Sequence, residues 1–175
     1  LDVTACDIAY YHSSEDLKNK GLQDVEHAMK HMKKAENNYK WDYFKDIESL
    51  RMHRLMALQE RATDMKESSE RYIPVNLPSL PFKNDEFEIL LSAHFLFMYA
   101  DRLDYPFHLE TLNELLRVTK EEVRIFPLVD LEGKRYEHLD KIFSYLADRN
   151  YIVEEIKVPY EFQSNANSML KIRKA

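Results

Sequence analysis

Glu86-Phe-Glu-Ile-Leu-Leu-Ser-Ala93 decides the fold class, together with the helix and strand that succeed it in the chain. Apolar residues in succession over Ile89–Leu91 read as a strand that becomes fully buried. Phe107, Leu112, Leu115 and Leu116 then share one face of a helix over Leu103–Val118. Glu122-Val-Arg-Ile-Phe-Pro127 reads as a second strand. Strand, helix and strand in this succession predict a parallel pair joined by a helical crossover.

Working outward toward the end of the chain, Gly133 marks a turn, and Tyr136–Asp148 reads as a helix with Leu139, Ile142, Phe143 and Leu146 inward. Tyr151–Val158 and Ser168–Arg173 are two strands joined by a polar loop, most simply antiparallel. Toward the start, Leu1–Cys6 is a short β-type run ending at Asp7. Ser13 and Ser14, followed by Glu15 and Asp16, form a helix start with first-turn acids. That helix runs to about Asn37 with Leu22, Val25, Met29 and Met32 on its apolar face. Gly21 weakens its first turns by up to about 1 kcal/mol relative to alanine, which favours a start after Gly21. Tyr39, Trp41, Tyr43 and Phe44 form an aromatic connector. A second helix from about Asp46 to Lys66 carries Ile47, Leu50, Leu55, Leu58, Ala62 and Met65 as its buried stripe. Tyr72–Val75 is a short strand whose Pro74 suits an edge or an end, and Asn76–Pro81 is irregular.

The order β-α-α-β-β-α-β-α-β-β predicts an α/β fold with a mostly parallel sheet and one antiparallel strand near the C-terminus. Residues 1–175 read as a single domain, with 14–70 as a helical insert or cover inside it.

Composition narrows the function. Glycine occurs twice in 175 residues, as Gly21 and Gly133, where average usage would give roughly twelve. Neither a G-x-G-x-x-G turn nor a Walker loop exists in the chain. The single cysteine, Cys6, permits no intrachain disulfide. No apolar run reaches the roughly 18 residues of a membrane span, and a net charge of -6 argues against a generic nucleic-acid surface. The expectation is a soluble cytoplasmic protein without membrane or nucleic-acid partners.

Three places could carry chemistry. Asp7, at the carboxyl end of a strand, would face the crevice where open α/β sheets bind ligands and could accept from two ribose hydroxyls; an acid there also serves simply as a helix cap. Asn76-Leu-Pro-Ser-Leu-Pro-Phe82 is held extended by its prolines, and an asparagine amide both donates to and accepts from an adenine edge; an ordinary loop with apolar anchors reads the same way. Ser92-Ala-His-Phe95 follows the buried strand, and His94 is a candidate acid/base or a packed loop histidine. His27 and His31 share one side of a helix, with no third metal ligand evident and a solvated face the simpler account. The methionines read as core filler, Cys6 as a buried inert thiol, and the mixed charges of Lys18–Lys34 as a solvated helix face.

From Tyr72 onward the chain resembles class I S-adenosylmethionine-dependent methyltransferases. The resemblance rests on Tyr72-Ile-Pro-Val-Asn-Leu-Pro-Ser-Leu-Pro-Phe82, Phe87-Glu-Ile-Leu-Leu-Ser-Ala-His-Phe95 and Leu112-Asn-Glu-Leu-Leu-Arg-Val118. That family has an acid-x-x-x-Leu-Pro-Phe loop before its fourth strand and a Glu-Leu-x-Arg-Val helix before its fifth. Here Asn76 stands in the place of the acid, four residues before Leu80. The resemblance implies a Rossmann-like methyltransferase sheet with a two-helix insert before strand three. It also implies S-adenosylmethionine as cofactor and a methyl acceptor, small-molecule or otherwise. Asp7 would hold the ribose hydroxyls with Ile8 among the cofactor contacts, Asn76 and Leu77 would meet the adenine, and Ser92 and His94 would lie near the methionine end. His94 is then the candidate base. The family's first strand and Gly-x-Gly loop are not in this sequence. Leu1-Asp2-Val3 is how that first strand commonly opens and Thr4–Asp7 how the second closes, so the two would meet at Val3–Thr4. The competing expectation is a non-catalytic methyltransferase-like module that binds partners through its helical insert.

Overall fold

The computed structural model describes residues 2–175 of a chain that divides into two compact units, Leu1–Asn76 and Leu77–Ala175.

The first unit is a helical pair carried on a two-stranded sheet. Strands β1 (Ala5–Asp7) and β2 (Tyr72–Pro74) are parallel, with Cys6 opposite Ile73 and Asp7 opposite Pro74. Of the expected strand over Leu1–Cys6, Leu1 lies outside the described residues. Residues 2–4 have no regular structure, so no strand runs through Val3 and Thr4. Helix α1 (Ser14–Lys34) starts where its cap dictates: the Ser13 hydroxyl accepts from the Asp16 amide at 3.1 Å. It does not wait for Gly21, which lies inside the helix. A Cβ there would meet Leu58 Cδ1 of α2 (Ile47–Glu67) at 2.6 Å. Glycine is tolerated at this helical position because the two helices approach closely there. The contact face of α1 is accordingly Leu17, Val25 and Met29, and the expected Leu22 is exposed. Asp46 caps α2, its carboxylate accepting from Ser49 N–H at 2.7 Å, and Leu50, Leu58 and Ala62 are buried. Met29 fills core as expected, whereas Met52 and Met56 are exposed.

The second unit is a four-stranded mixed sheet in the order β3-β4-β6-β5, formed by β3 (Phe87–Ala93), β4 (Thr119–Phe126), β5 (Tyr151–Lys157) and β6 (Ser168–Lys174). β3 and β4 are parallel, and β6 runs antiparallel to both β4 and β5. The expected antiparallel strand is therefore the last one, inserted between β4 and β5. Helix α3 (Tyr105–Val118) begins at Asp104, whose carboxylate caps Phe107 N–H at 2.9 Å, and passes directly into β4. Helix α4 (Leu139–Ala147) links β4 to β5. Val123, Ile125, Leu170 and Ile172 are buried on one face of the sheet, with the buried stripes of α3 (Leu112, Leu115, Leu116) and α4 (Leu139, Ile142, Leu146) as their apolar counterparts. The facing register carries Glu122, Arg124 and Lys171, with Lys171 Nζ 2.8 Å from the Glu122 carboxylate.

One expectation is overturned in this sheet. β3 is not fully buried: Leu91 is 70% and Ile89 50% exposed. The strand pairs only with β4 among the described strands, so one edge and one face lack a cover. Gly133 does mark a turn, at φ 75°, held by Asp130, which accepts from the Glu132 and Lys134 amides at 2.8 and 2.9 Å.

Candidate functional site

In the first unit the parallel pairing of β1 and β2 has a chemical consequence. Both strands end at the same side, where Val75 N–H donates to Asp7 O at 3.3 Å. Asp7 and Ile8 leave the carboxyl end of β1, and Asn76 lies two residues beyond the end of β2. All three are exposed. Asp7 also caps the short 3-10 turn Ile8–Tyr11: its Oδ1 accepts from Ala9 N–H at 2.9 Å. That contact fixes the carboxylate and leaves Oδ2 to accept from elsewhere.

The turn sets Tyr10 edge-on against Tyr72, ring centres 5.1 Å apart. Tyr72 donates its hydroxyl to Asp64 Oδ2 at 2.6 Å, and that bond pushes the phenol up to about 12. Burial, then the Asp7 carboxylate, push Tyr10 up as well, while Arg61 of α2 opposes them. Cys6 is exposed rather than buried; atoms crowding its sulfur still raise the thiol.

In the second unit, Ser92 and His94 stand at the carboxyl end of β3, beside Ile125 and Phe126 of β4. His94 has φ 56°, in the left-handed region that a side chain disfavours. Its N–H donates to Phe126 O at 2.7 Å and its ring meets Phe126 edge-on, centres 5.4 Å apart. Leu77 is half-buried at the start of the proline segment. That segment is fastened to α3 by one residue pair. Glu114 accepts from Leu80 N–H at 2.7 Å. Arg117 donates to Leu80 O at 3.2 Å, Phe82 O at 2.9 Å, Asn84 Oδ1 at 2.9 Å and Glu114 at 2.7 Å. The bonds to Arg117 hold the Glu114 carboxyl below its ordinary range, outweighing its partial burial.

Sequence reasoning passed over His108. It is 0% exposed. Nε2 lies 3.0 Å from Leu96 O and Nδ1 lies 2.5 Å from Tyr136 Oη. A carbonyl only accepts, so Nε2 carries the proton and Nδ1 accepts from the tyrosine. Burial holds His108 below its ordinary value and pushes Tyr136 up to about 12. The pair ties the segment after His94 to α3. No signal within a short window could have found it, because its three members come from separate segments.

The remaining candidates carry little. His27 and His31 are exposed with ring centres 4.4 Å apart, and no cluster of three metal-ligating side chains exists among the described residues. A cleft of about 250 Å³ touches Arg135, Glu155 and Lys157, but Arg135 is paired with Glu155 at 2.7 Å and Lys157 with Asn167 at 2.6 Å. Gly133 and Gly21 both serve packing, since a Cβ on Gly133 would come within 2.8 Å of Ser164 O. No helix of the described residues is long and apolar enough to cross a membrane.

No family model matches the chain. An uncharacterized protein of Methanocaldococcus jannaschii, MJ0045, is 36% identical over 174 residues, which cover 99% of this chain and 76% of that protein. At that identity and coverage the chain belongs to the same family as this archaeal protein.

Proposed function

We propose that the protein is an S-adenosylmethionine-dependent methyltransferase with a Rossmann-like sheet, acting on an acceptor selected by its helical cover. The observation that carries the reading is the convergence of Asp7, Ile8 and Asn76 at one carboxyl end of the parallel β1–β2 pair. An acid at that position suits a vicinal diol, and Asp7 keeps one carboxylate oxygen for it. Asn76 is exposed and brings both a donor and an acceptor to an adenine edge. The single antiparallel strand at the end of the chain agrees with the same reading. The donor set therefore fits the ribose and adenine end of the cofactor. Toward the methionine end, the family's glycine loop has no counterpart among the described residues.

When bound, the cofactor supplies an electrophilic methyl on a sulfonium. In the first unit, Asp7 would bind and orient the ribose and Asn76 would grip the adenine. Such chemistry depends mainly on alignment, so residues that position contribute more than residues that react.

Calorimetric titration of S-adenosylhomocysteine into the protein tests this. Binding in the micromolar range that weakens in Asp7→Ala supports it; no heat at millimolar ligand refutes it. In that event the second reading stands, a binding module that uses the helical insert, favoured by the exposure of Met52 and Met56 on α2.

A further inference from the structure

The cleft of about 250 Å³ in the second unit has its arginine spent on Glu155, but its wall also holds a polar group that is not spent. Ser168, the first residue of β6, lines the cleft and is only 6% exposed. A serine buried to this extent ordinarily bonds to a neighbour. The Ser168 hydroxyl makes no hydrogen bond among the described residues and is not sealed from solvent, so it opens into the cleft.

The register of the sheet brings a cation to the same place. Lys157 lies directly opposite Ser168 in the antiparallel β5–β6 pair, so the two side chains leave the same face of the sheet. The Lys157 ammonium donates to Asn167 Oδ1 at 2.6 Å and has no acid within ion-pair distance among the described residues. A neutral amide orients the ammonium without cancelling its charge and leaves it two further N–H donors. Glu155, two residues back on the same strand, is held at both carboxylate oxygens by Arg135, at 2.9 and 2.7 Å. Its charge is therefore already answered. Another part of the wall is stapled in place. Gln163 donates to Asp130 O at 3.2 Å and Leu131 O at 3.0 Å, and Asn165 donates to Gly133 O at 3.3 Å. These bonds tie the loop before β6 to the Gly133 turn, so the cleft is formed before any ligand arrives.

We propose that this cleft holds the phosphate group of a small-molecule ligand, with Lys157 and Ser168 as its donors. The sign of the ligand follows from Lys157, whose charge no acid answers, while Arg135 is matched by Glu155. The choice of phosphate over carboxylate follows from the donor set. A planar carboxylate is matched by a guanidinium fork, and the fork here is taken; a compact ammonium and a hydroxyl suit oxygens arranged about a tetrahedral centre. The size agrees. Sites that engulf a whole ligand run to about 300–1,000 Å³, so this cleft takes one group and leaves the rest of the ligand outside. The site lies within the second unit and stands whether or not the protein transfers methyl groups.

The test uses the full chain labelled with nitrogen-15 and follows the backbone amides of Gly133, Asn165 and Ser168. Inorganic phosphate and acetate are titrated separately at constant ionic strength, with chloride as the balancing salt. The expected result is a saturable shift of these amides with phosphate in the millimolar range, with acetate weaker or without effect, while the amides of α3 stay unchanged. Lys157→Gln weakens phosphate binding by about tenfold or more, the effect of a lost charged donor, and Ser168→Ala by about threefold, the effect of one lost hydrogen bond. The Ser168 hydroxyl makes no bond within the fold, so Ser168→Ala keeps the urea-unfolding midpoint of the parent and its loss of binding is not a loss of folding. No saturable shift with phosphate, an equal shift with chloride, tighter binding of acetate, or unchanged affinity in both variants overturns the proposal, and the first three are read in the unsubstituted protein. Phosphate binding that persists while S-adenosylhomocysteine fails to bind sinks the methyltransferase reading and leaves the phosphate site standing.

Discussion

His108→Phe keeps most of the volume of the buried ring and removes both of its hydrogen bonds. It strands two polar groups inside the second unit, the Leu96 carbonyl and the Tyr136 hydroxyl, which now lie 3.0 and 2.5 Å from the imidazole nitrogens. At about 1–3 kcal/mol for each of the two unsatisfied buried groups, the substitution costs about 2–6 kcal/mol, a large share of a domain's total of about 5–15. Tyr136→Phe alone strands Nδ1 and costs about 1–3 kcal/mol. The double variant strands only the Leu96 carbonyl. It is therefore more stable than His108→Phe by about 1–2 kcal/mol, although it carries one more substitution. Urea unfolding followed by circular dichroism measures all three. The same set yields a pH test. Burial holds native His108 below the ordinary value of 6.5, so the unfolded chain takes up this proton first as pH falls. The native protein has the full contribution above that value and loses it as pH drops toward the lowered native value. His108→Phe lacks this slope, and its deficit shrinks in acid. Additive costs in the double variant, or an unchanged pH slope in His108→Phe, would refute the buried neutral pair.

Arg117→Ala releases the segment after Pro78, and hydrogen exchange at the Asp85 amide, which donates to Arg117 O at 2.9 Å, and at Leu80 should quicken by about tenfold or more while β6 is unchanged. Gly21→Val drives side-chain carbon into Leu58, already 2.6 Å from an ideal Cβ, and should cost about 1–3 kcal/mol, part of which Leu58→Ala restores in the double variant; thermal melts decide it. Asp7→Ala removes a carboxylate able to accept from two hydroxyls, so S-adenosylhomocysteine should bind about 10- to 100-fold more weakly by calorimetry. Leu91→Lys alters an exposed position on the uncovered strand, so stability in urea unfolding should hold within about 0.5 kcal/mol.

What the sequence disclosed, and what it did not, divides by the range of the interaction. Ser13 and the helix start near Asp46 were legible because each cap is a side chain bonded to an amide three residues on. The antiparallel final pair was legible because a short polar loop leaves two adjacent strands little else to do. The exposure of β3 was not. Ile89-Leu90-Leu91 reads identically in a central strand and at an edge, and only the neighbours decide. Gly21 read as a weakness in a helix, when its use is to admit Leu58 from the next helix. Asp7 and Asn76 were each legible as polar residues near strand ends. That they share one end is a result of the parallel pairing of β1 with β2 across both intervening helices. His108 carried no local mark at all, since its meaning lies in residues distant along the chain.

The scarcity of glycine takes its weight from this same distinction. In a cofactor-binding α/β protein, glycines let the backbone approach the ligand, and here neither glycine is free to do so: one admits a leucine and the other turns a loop against Ser164. Among the described residues a ligand is then met by side chains and by the backbone of residues other than glycine. On the proposed reading these side chains include Asp7, which keeps one carboxylate oxygen at the carboxyl end of β1. A site made of side chains is easier to alter by substitution than one made of backbone. Ligand choice in this family should accordingly track the turn after β1 more closely than it tracks the strands, and exchanging that turn between this chain and its archaeal relative should transfer the ligand preference while the sheet stays as it is.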